Sequence, residues 1–298
     1  MAIAPGGDGR VGQVSDPESR EASQQHWSDS AKAWARAAEE EESGASASAT
    51  AWMLEAANLQ PGERVLELAG GAGRVGLQAA SVVGPEGTVL CSDFSEAMVA
   101  AVNDRVTRLE VPNVQTRVLD AQDIDLDEQE SFDVVLCRFG YMLMSNPQQA
   151  LAESCRVLRP GGRLVLAVWG SGERNPWLSV IFDAVMAHLD APPPEPGTPG
   201  PFALGAVEDL EAILGDAGLT EVETAEIETE QPYESPDAWW ESIYEVSGPL
   251  AALLDALPEA ARTAIREATI ARAENYLADD GRVVFPASIV GAKARRRG

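Results

Sequence analysis

The sequence predicts an α/β fold in which helices cover both faces of a mostly parallel β-sheet. From Pro61 onward, short apolar runs alternate with stretches of helical periodicity, a pattern typical of repeated strand-helix-strand units. The first run leads into a glycine-rich segment at residues 69–76, where a strand can turn sharply into a helix. The chain has 298 residues, 45% of them hydrophobic, which is enough for one large domain with a cap.

Five short apolar runs predict the first strands of this sheet. They span residues 64–69, 88–92, 114–119, 132–137 and 163–169. The helices predicted between them span residues 73–83, 95–109 and 148–158. In the last of these, Leu151, Cys155 and Leu158 recur at helical spacing, so Cys155 is predicted to be a core residue and not a nucleophile. The sequence RPGG at residues 159–162 predicts a turn into the fifth strand.

The segments around this core predict a helical cap and the rest of the sheet. Helices are predicted over residues 17–42, 47–57, 175–189 and 207–217, and a Pro-rich linker over residues 191–201. An edge strand at 219–230 and a closing strand at 281–292 bring the sheet to seven strands, with a helical insertion at 236–278 between them.

These elements divide the chain into four parts. They are a disordered tail (1–16), an N-terminal helical lid (17–60), a ligand-binding core (61–170) and a remainder (171–298). The remainder completes the sheet over about 205–230 and 281–293 and carries substrate-capping insertions over about 171–204 and 233–280.

Charge and composition exclude several classes of protein. The chain has 22 Lys and Arg against 48 Asp and Glu, a formal net charge of −26. Its basic cluster is confined to Lys293 and residues 295–297, so no nucleic-acid partner is expected. No run approaches the roughly 20 apolar residues of a membrane span, and the first residues lack the apolar region of a signal peptide, which predicts a cytoplasmic protein. Three scattered cysteines argue against disulfides and a metal site; a homodimer is left open.

The most informative stretch is VLELAGGAGRVG at residues 65–76. Three of its glycines, Gly71, Gly73 and Gly76, satisfy the G-x-G-x-x-G pattern of nucleotide-binding turns. A turn of this kind also serves simply to join a strand to a helix, so the pattern alone leaves a purely structural role open.

The residues around the turn indicate which ligand it binds. Glu67 places a negative charge at the end of the strand, where a pyrophosphate would be repelled and a cationic ligand attracted. Arg74 is the one residue that favours phosphates. Asp93 follows Gly73 by about 20 residues, the spacing at which a carboxylate reaches ribose hydroxyls in this architecture. Ribose recognition is common to dinucleotides and other adenosine ligands, so Asp93 does not discriminate between them.

Five motifs in order carry a resemblance to a known family. They are VLELAGGAG (65–73), CSDFSEAM (91–98), VLDAQDI (118–124), FDVVLCRFG (132–140) and RVLRPGGRLVLAVW (156–169). They resemble the class I S-adenosylmethionine-dependent methyltransferases, in particular the branch of ubiquinone and menaquinone biosynthesis C-methyltransferases. The resemblance covers roughly residues 61–170 and resumes weakly over 207–296. It implies a Rossmann-like seven-stranded fold and S-adenosylmethionine as the cofactor.

The resemblance also implies a cofactor site at the carboxyl ends of the strands. Glu67 would contact the amino group of the ligand, Gly71 and Gly73 would form the floor, and Asp93 would hold the ribose hydroxyls. The other residues implied are Phe94 and Met98 on the adenine, Asp120, Ala121 and Gln122 at its edge, and Cys137 and Arg138 beside the methionine moiety. Ala69 stands where the family most often has glycine, so a slightly altered amino-acid end is expected. Core packing stays open for Phe94 and Met98, as does a capping role for Asp120.

Methyl transfer is an in-line displacement, so alignment of the acceptor and exclusion of water are the main requirements. A general base is optional, and the candidates are His26, Tyr141 and His188. Each also has an ordinary surface or packing role as an alternative.

Acceptor recognition is expected from aromatic residues outside the sheet. The candidates are Trp27, Trp177, Trp239 and Trp240, with Trp34 as a further aromatic of the lid; core filling under the cap is the alternative for each. The acidic surface and the lack of an NPPY-like segment after the fourth strand favour a small, largely neutral, aromatic, quinone-like or polyketide-like acceptor, methylated on carbon or oxygen.

Two other functions compete with this hypothesis. The first is an NAD(P)-dependent oxidoreductase, suggested by G-x-G-x-x-G together with Asp93. The second is a protein of the same fold that binds the cofactor but catalyses another reaction, such as a cyclisation, or acts as a regulator.

Overall fold

The computed structural model describes residues 17–39, 43–126, 132–190 and 197–298. Within these ranges the chain forms ten α-helices and seven β-strands. The predicted disordered tail (1–16) lies outside the described residues, as do the end of the predicted helix at 17–42 and residues 191–196 of the Pro-rich linker.

The seven strands form one sheet. They are β1 (Arg64–Glu67), β2 (Thr88–Asp93), β3 (Val114–Val118), β4 (Phe132–Arg138), β5 (Leu158–Trp169), β6 (Leu219–Tyr233) and β7 (Val283–Arg296). Their order is β3-β2-β1-β4-β5-β7-β6, with β1 to β5 parallel and β7 antiparallel to both of its neighbours. The predicted Rossmann-like, seven-stranded and mostly parallel sheet is thereby confirmed. The chain order reverses between β1 and β4, and ligands of open α/β sheets bind at such a reversal.

The helices cover the sheet and extend beyond it. They are α1 (Pro17–Glu39), α2 (Gly44–Ala57), α3 (Arg74–Val83), α4 (Glu96–Leu109), α5 (Pro147–Val157), α6 (Pro176–Leu189), α7 (Val207–Asp216), α8 (Pro236–Val246), α9 (Gly248–Asp255) and α10 (Glu259–Ala273). Right-handed crossovers place α3 and α4 on one face and α5 on the other, because the chain moves in opposite directions along the sheet from β1 and from β4. None of the helices in the described part of the chain is long and apolar enough to cross a membrane.

The core lies along the central strands. Leu66 of β1 pairs with Val135 of β4, which pairs with Leu164 of β5, and all three are at most 1% exposed. These strands have apolar side chains on both faces because helices cover both sides, as expected for parallel strands. Burying each such side chain stabilises the fold by about 1.5 to 3 kcal/mol.

Strand β5 differs from the prediction at its start. It begins at Leu158, which pairs with Phe132, and pairing resumes with Arg163 opposite Val134 after a bulge. The segment RPGG, predicted as a turn before the strand, therefore lies within it, with Gly161 at a φ of 74°. Glycine permits this bulge because it has no Cβ to clash in that conformation.

The basic cluster near the end of the chain is also part of the sheet. Strand β7 runs to Arg296, four residues beyond the predicted closing strand. Lys293 lies 2.9 Å from the carboxylate of Glu223, and Arg295 lies 3.3 Å from that of Glu221. These basic side chains pair with glutamates of the neighbouring edge strand β6, so they are not a free tail.

Of the two helices predicted as a lid, only α1 lies outside the layers of the sheet. Helix α2 packs against β5, β6 and β7 and buries Ala45, Ala49 and Met53, so it is a covering helix of the sheet. The small apolar face of α2 thus has its partner in the sheet, and a lid over the ligand at residues 17–60 stays a prediction. Helix α1 instead contacts α4, α8 and α9, and Trp34 Nε1 donates to the carbonyl of Val246 at 3.0 Å.

Candidate functional site

The glycine turn between β1 and α3 brings backbone amides to the carboxyl edge of the sheet. Gly71 and Gly73 have φ values of 54° and 73°, a conformation that costs glycine little. Gly73 N donates to Gly70 O and Gly70 N donates to Ser92 O, both at 2.8 Å. A Cβ on Gly71 would meet no atom within 4 Å, so the backbone at this point is open to a ligand.

Two non-glycine residues at this edge also have positive φ. Ala69 has a φ of 49° at the end of β1, and Phe139 has a φ of 58° at the end of β4. An L-residue in this conformation is strained by about 1 to 2 kcal/mol, and such strain concentrates at functional sites. A Cβ on Gly140 would lie 2.7 Å from Ala69 Cβ, so a glycine is what allows the two strained segments to approach. Phe139 did not emerge from the sequence as a site residue.

Glu67 lies at the end of β1, beneath the glycine turn. It is 2% exposed, and a Cβ on Gly70 would lie 2.9 Å from its carboxylate. Its Oε2 atom has no hydrogen-bond partner in the described part of the chain. Burial raises the pKa of the Glu67 carboxyl to about 7, against the lowering influence of the nearby Cys91 thiol and Gly76 amide. A buried carboxyl oxygen without a partner fits a cationic group or a hydrogen-bond donor of a ligand.

The raised pKa of Glu67 predicts that its ionised form destabilises the ligand-free fold. The carboxyl titrates at about 7 when folded and near its ordinary value of 4.5 when unfolded, so the free energy of unfolding falls as the pH rises between these values. Glu67→Gln has no proton to lose. We expect its stability relative to the wild type to increase by roughly 2 to 3 kcal/mol between pH 5 and pH 8, measured by urea unfolding.

The control for this experiment is Glu55→Gln, an exposed position on α2. Its stability relative to the wild type should stay constant over the same pH range, because water surrounds this side chain in the folded and the unfolded chain alike. A Glu67→Gln difference that is equally constant would contradict a raised pKa at Glu67.

Asp93 ends β2 with its carboxylate held by backbone amides. Oδ2 accepts from Gly71 N and Oδ1 accepts from Ser95 N, both at 2.9 Å. Asp93 is 7% exposed, and burial raises its pKa against the lowering influence of these amides. The carboxylate therefore ties the glycine turn to the start of α4. Each carboxylate oxygen accepts more than one hydrogen bond, so ligand hydroxyls can also be received there.

Phe94 and Met98 have different surroundings. Met98 is 2% exposed, in the first turn of α4, where its amide donates to Ser95 Oγ at 3.3 Å. Phe94 is half-buried, and its carbonyl accepts from Gln24 Nε2 of α1 at 2.6 Å. The position of Met98 agrees with the core-packing alternative, whereas Phe94 retains accessible surface.

Asp120, Ala121 and Gln122 follow β3. Asp120 forms an ion pair with Arg20 of α1, and its Oδ1 accepts from Gln122 N at 2.8 Å. Gln122 Oε1 accepts from Asn146 N at 2.7 Å, which links this loop to the segment after β4. Ala121 is buried. The side chains of Asp120 and Gln122 thus already have protein partners.

Helix α1 crosses the ends of β2 and β3. Three polar side chains of α1, spaced four residues apart, contact this region. Arg20 forms an ion pair with Asp120, Gln24 donates to the Phe94 carbonyl, and Ser28 Oγ lies 2.9 Å from Ser95 Oγ. A spacing of four places side chains on one face of a helix, and this face is turned toward the ends of the two strands. The sequence shows the spacing but not the long-range partners.

Arginines from the turn and from α4 hold the carboxyl end of α1. Arg74 donates to the carbonyl of Ala37, and Arg105 donates to the carbonyls of Ala38 and Ala72 at 3.0 and 2.6 Å. Cationic donors at this end satisfy free carbonyls and favour the helix dipole. Arg74, the residue whose charge favoured a phosphate ligand, therefore binds a helix end.

The side chains at the end of β4 are engaged within the protein. Cys137 is fully buried, and burial raises the pKa of its thiol to about 12. Arg138 donates to Thr50 Oγ1 at 2.6 Å and to Ser46 O at 3.3 Å, both on α2. Within the described ranges, no group of three or more His, Cys, Asp or Glu side chains is placed to hold a metal ion.

The three candidate bases lie apart from one another. Tyr141 is fully buried, and its hydroxyl lies 2.7 Å from Ser154 Oγ. Burial raises the pKa of Tyr141 well above its ordinary value. Tyr141 is therefore a core residue, and its position argues against a role as general base. His26 projects from the side of α1 opposite Gln24. His188 is exposed near the end of α6.

Two of the candidate tryptophans fill the core under the cap. Trp239 is fully buried, packs on Phe285 with ring centroids 4.7 Å apart and donates to Trp177 O at 2.7 Å. Trp177 is 7% exposed, and its Nε1 donates to Asn175 Oδ1 at 3.0 Å. Both positions agree with the core-filling alternative and disfavour direct acceptor contact by Trp239.

The other two tryptophans differ in burial, since Trp27 is half-buried and Trp240 is 7% exposed. Trp27 is half-buried on the face of α1 that also carries Arg20, seven residues earlier. Trp240 borders an open cleft of about 230 Å³ between α8 and α10. The other lining residues of this cleft are Tyr244, Arg262, Thr263 and Arg266.

Sequence comparison identifies relatives of the part of the chain that carries this site. A profile described as a methyltransferase domain matches residues 59–187. The ubiquinone/menaquinone biosynthesis C-methyltransferase UbiE of Ectopseudomonas mendocina is 37% identical over 131 residues, which cover 44% of this chain and 50% of that protein. The protein of the same name from Bordetella parapertussis is 39% identical over 118 residues, covering 39% of this chain and 44% of that protein. The chain thus spans about half the length of the curated relatives it matches.

Solved structures share the fold over most of the chain. The YcgJ protein of Bacillus subtilis has a TM-score of 0.55 at 18% identity, with 84% of this chain and 98% of that chain covered. A protein described as a [4+2]-cyclase, SpnF, has a TM-score of 0.52 at 20% identity, with 84% and 80% covered. Likeness at these identities shows the fold alone. The sequence matches go further, because residues 59–187 match a profile described as a methyltransferase domain and the chain is similar to proteins named ubiquinone/menaquinone biosynthesis C-methyltransferases over 118 to 131 residues.

Proposed function

We propose that the chain binds S-adenosylmethionine at the glycine turn and transfers its methyl group to a small aromatic acceptor. The observation that carries this proposal is the row of carboxylates along the carboxyl edge of the sheet. The adjacent strands β3, β2 and β1 each have a carboxylate at their carboxyl end, namely Asp120, Asp93 and Glu67. Neighbouring strands lie about 4.8 Å apart in a sheet. An elongated, phosphate-free ligand with hydroxyl and amino groups suits such a row.

The residues present fit this cofactor. The unpartnered Oε2 of Glu67 beneath the turn suits the positive amino group of the ligand. Arg74, the nearest residue that favours a phosphate, donates to the Ala37 carbonyl at the end of α1. When bound, the cofactor supplies an electrophilic methyl group, which the acceptor takes by in-line displacement. Asp93 would orient the ribose, and Phe94 would lie against the adenine.

The chain contributes mainly alignment and exclusion of water. Helix α1 covers the ends of β2 and β3 through Gln24 and Ser28, which shields the cofactor side of the site from solvent. The positions of His26, Tyr141 and His188 supply no base at the turn, so we propose that proton removal from the acceptor depends on solvent or on the acceptor itself. Alignment alone accounts for much of the barrier reduction in such reactions.

The acceptor follows from the relatives and from the aromatic residues near the site. Proteins named ubiquinone/menaquinone C-methyltransferases are the sequence relatives, so we favour transfer to a ring carbon of a quinol-like acceptor. The half-buried ring of Phe139, directly after β4, supports an aromatic acceptor. The dinucleotide oxidoreductase hypothesis has no comparable support, because a pyrophosphate at the glycine turn would meet the Glu67 carboxylate.

Isotope transfer tests the proposal directly. The protein is incubated with methyl-labelled S-adenosylmethionine and 1,4-dihydroxynaphthalene under argon, and the product is characterised by NMR. We expect a methyl group on a ring carbon. A methyl ether would overturn carbon transfer while supporting methyl transfer. If S-adenosylhomocysteine binds but no label reaches this quinol or a panel of phenols and polyketide-like acceptors, the non-methylating alternative is favoured.

A further inference from the structure

The carboxyl of Glu67 has a thiol as its neighbour in the sheet. Glu67 of β1 is paired in register with Cys91 of β2, and paired residues of neighbouring strands point to the same face. Both side chains are buried, at 2% and 1% exposure. Helix α3 passes over them at Gly76, where a Cβ would lie 2.3 Å from Cys91 Sγ and 2.4 Å from Glu67 Oε2. The thiol and the carboxyl therefore share one small space beneath the glycine turn.

The Cys91 thiol keeps its proton in this space. Burial, together with the neighbouring Glu67 carboxyl, raises the pKa of the thiol well above its ordinary value. A protonated thiol is a weak hydrogen-bond donor, and donation to an ionised carboxyl favours the ionised form. Oε2 of Glu67 makes no regular hydrogen bond in the described part of the chain. A buried oxygen that lacks a strong donor thus has a weak donor beside it.

Other titratable and charged groups face Glu67 from three elements. Burial is the main cause that raises the pKa of Glu67, and the charge of Asp93 on β2 adds to it, whereas Arg138 on β4 lowers it. Cys137 on β4 and Arg105 on α4 also interact electrostatically with Glu67. These groups act through charge, whereas the thiol on β2 shares the space occupied by the carboxyl.

We propose that Cys91 is a positioning residue for the cofactor, whose thiol holds the Glu67 carboxyl beneath the turn and favours its ionised form for the amino group of the ligand. This rests on the proposed function, because the amino group has to reach Glu67 for the thiol to affect binding. The backbone of Glu67 is already fixed, since its carbonyl accepts from Ser92 Oγ at 2.7 Å. The thiol fixes the other end of the residue, and its small size suits the close passage of α3.

The experiment measures binding of S-adenosylhomocysteine by calorimetry at pH 6, 7, 8 and 9. Cys91→Ala removes the donor, and Cys91→Ser replaces the S–H group by an O–H group. The matched control is Cys155→Ala, the same substitution at a half-buried cysteine of α5. Each variant is compared with the wild type at the same pH, so the titration of the ligand's own amino group cancels.

Cys91→Ala should bind roughly three- to tenfold more weakly than the wild type at pH 6 and almost equally at pH 9. The loss is confined to low pH because Glu67 without the donor stays protonated up to a higher pH. Cys91→Ser should recover most of the affinity at pH 6, and Cys155→Ala should match the wild type throughout. A loss of equal size at every pH would show a merely structural role and overturn the proposal, as would an unchanged affinity.

A second measurement separates this proposal from the proposed function. The stability of Glu67→Gln relative to its parent is followed against pH by urea unfolding, without ligand, in the wild-type and Cys91→Ala backgrounds. The pH at which this difference stops increasing should be roughly half a unit to one unit higher in Cys91→Ala. An unmoved value would overturn the role of Cys91. Failure of the wild type to bind S-adenosylhomocysteine at every pH would instead overturn the proposed function, whatever the ligand-free shift.

Discussion

Gly76→Ala is expected to lower the free energy of unfolding by about 1 kcal/mol and to abolish cofactor binding. A Cβ at this position would collide with Cys91 Sγ and Glu67 Oε2, and both side chains are buried, at 1% and 2% exposure. Overpacking of this kind costs about 1 to 3 kcal/mol, against a gain of about 0.5 to 1 kcal/mol from replacing glycine in a helix. Helix α3 would have to move away from β1, which displaces the glycine turn. Urea unfolding and calorimetric titration measure the two effects.

The control for this substitution is Gly215→Ala. Gly215 is exposed on α7, and a Cβ there would meet nothing within 4 Å. This variant should gain about 0.5 to 1 kcal/mol of stability, because only the helix-propensity term remains. Equal effects of Gly76→Ala and Gly215→Ala would show that the space beside Gly76 is not needed to seat Glu67.

Asp93→Asn is expected to weaken binding of S-adenosylhomocysteine by roughly 10- to 100-fold. The substitution removes the charge that we assign to the ribose hydroxyls, and charge-assisted hydrogen bonds contribute about 1.5 to 3 kcal/mol. In the wild type, Gly71 N and Ser95 N each donate to a carboxylate oxygen of Asp93. The substitution places the amide nitrogen of Asn next to one of these two donors. The glycine turn and the ligand contact are therefore affected together. Calorimetric titration of the folded variant gives the change in affinity.

Asp104→Asn provides the matched control, since Asp104 is exposed on α4. It changes the net charge by the same amount without touching the turn, so its affinity should equal that of the wild type. If Asp93→Asn is folded and binds as tightly as Asp104→Asn, the assignment of Asp93 to the ribose is wrong.

The sheet could be predicted because its central strands have a simple physical signature. Val65 and Leu66 are both buried although they point to opposite faces, and only a strand covered on both sides has that composition. The start of β5 could not be predicted in the same way. Leu158 joins the sheet across from Phe132 before the bulge, and a bulge with Pro and Gly has the same local sequence as a turn.

The candidate site could be predicted in part. Asp93 and Glu67 end predicted strands, so sheet topology alone brings them to one edge. The ion pair between Arg20 and Asp120 joins residues far apart in sequence, and a side-chain pattern does not reveal such a partner. Phe139 and Tyr141 are two residues apart but have opposite surroundings, since Tyr141 is fully buried and Phe139 has a positive φ. A positive φ at a non-glycine residue has no signature in the sequence.

The central claim is that the glycine turn binds an adenosyl ligand without phosphates. Calorimetric titration of the wild-type protein with S-adenosylhomocysteine, beside NADH and NADPH, tests it most directly. We predict micromolar binding of S-adenosylhomocysteine and no binding of either dinucleotide, because the Glu67 carboxylate beneath the turn repels a pyrophosphate. Binding of NADH or NADPH in place of S-adenosylhomocysteine would contradict the assignment of the turn.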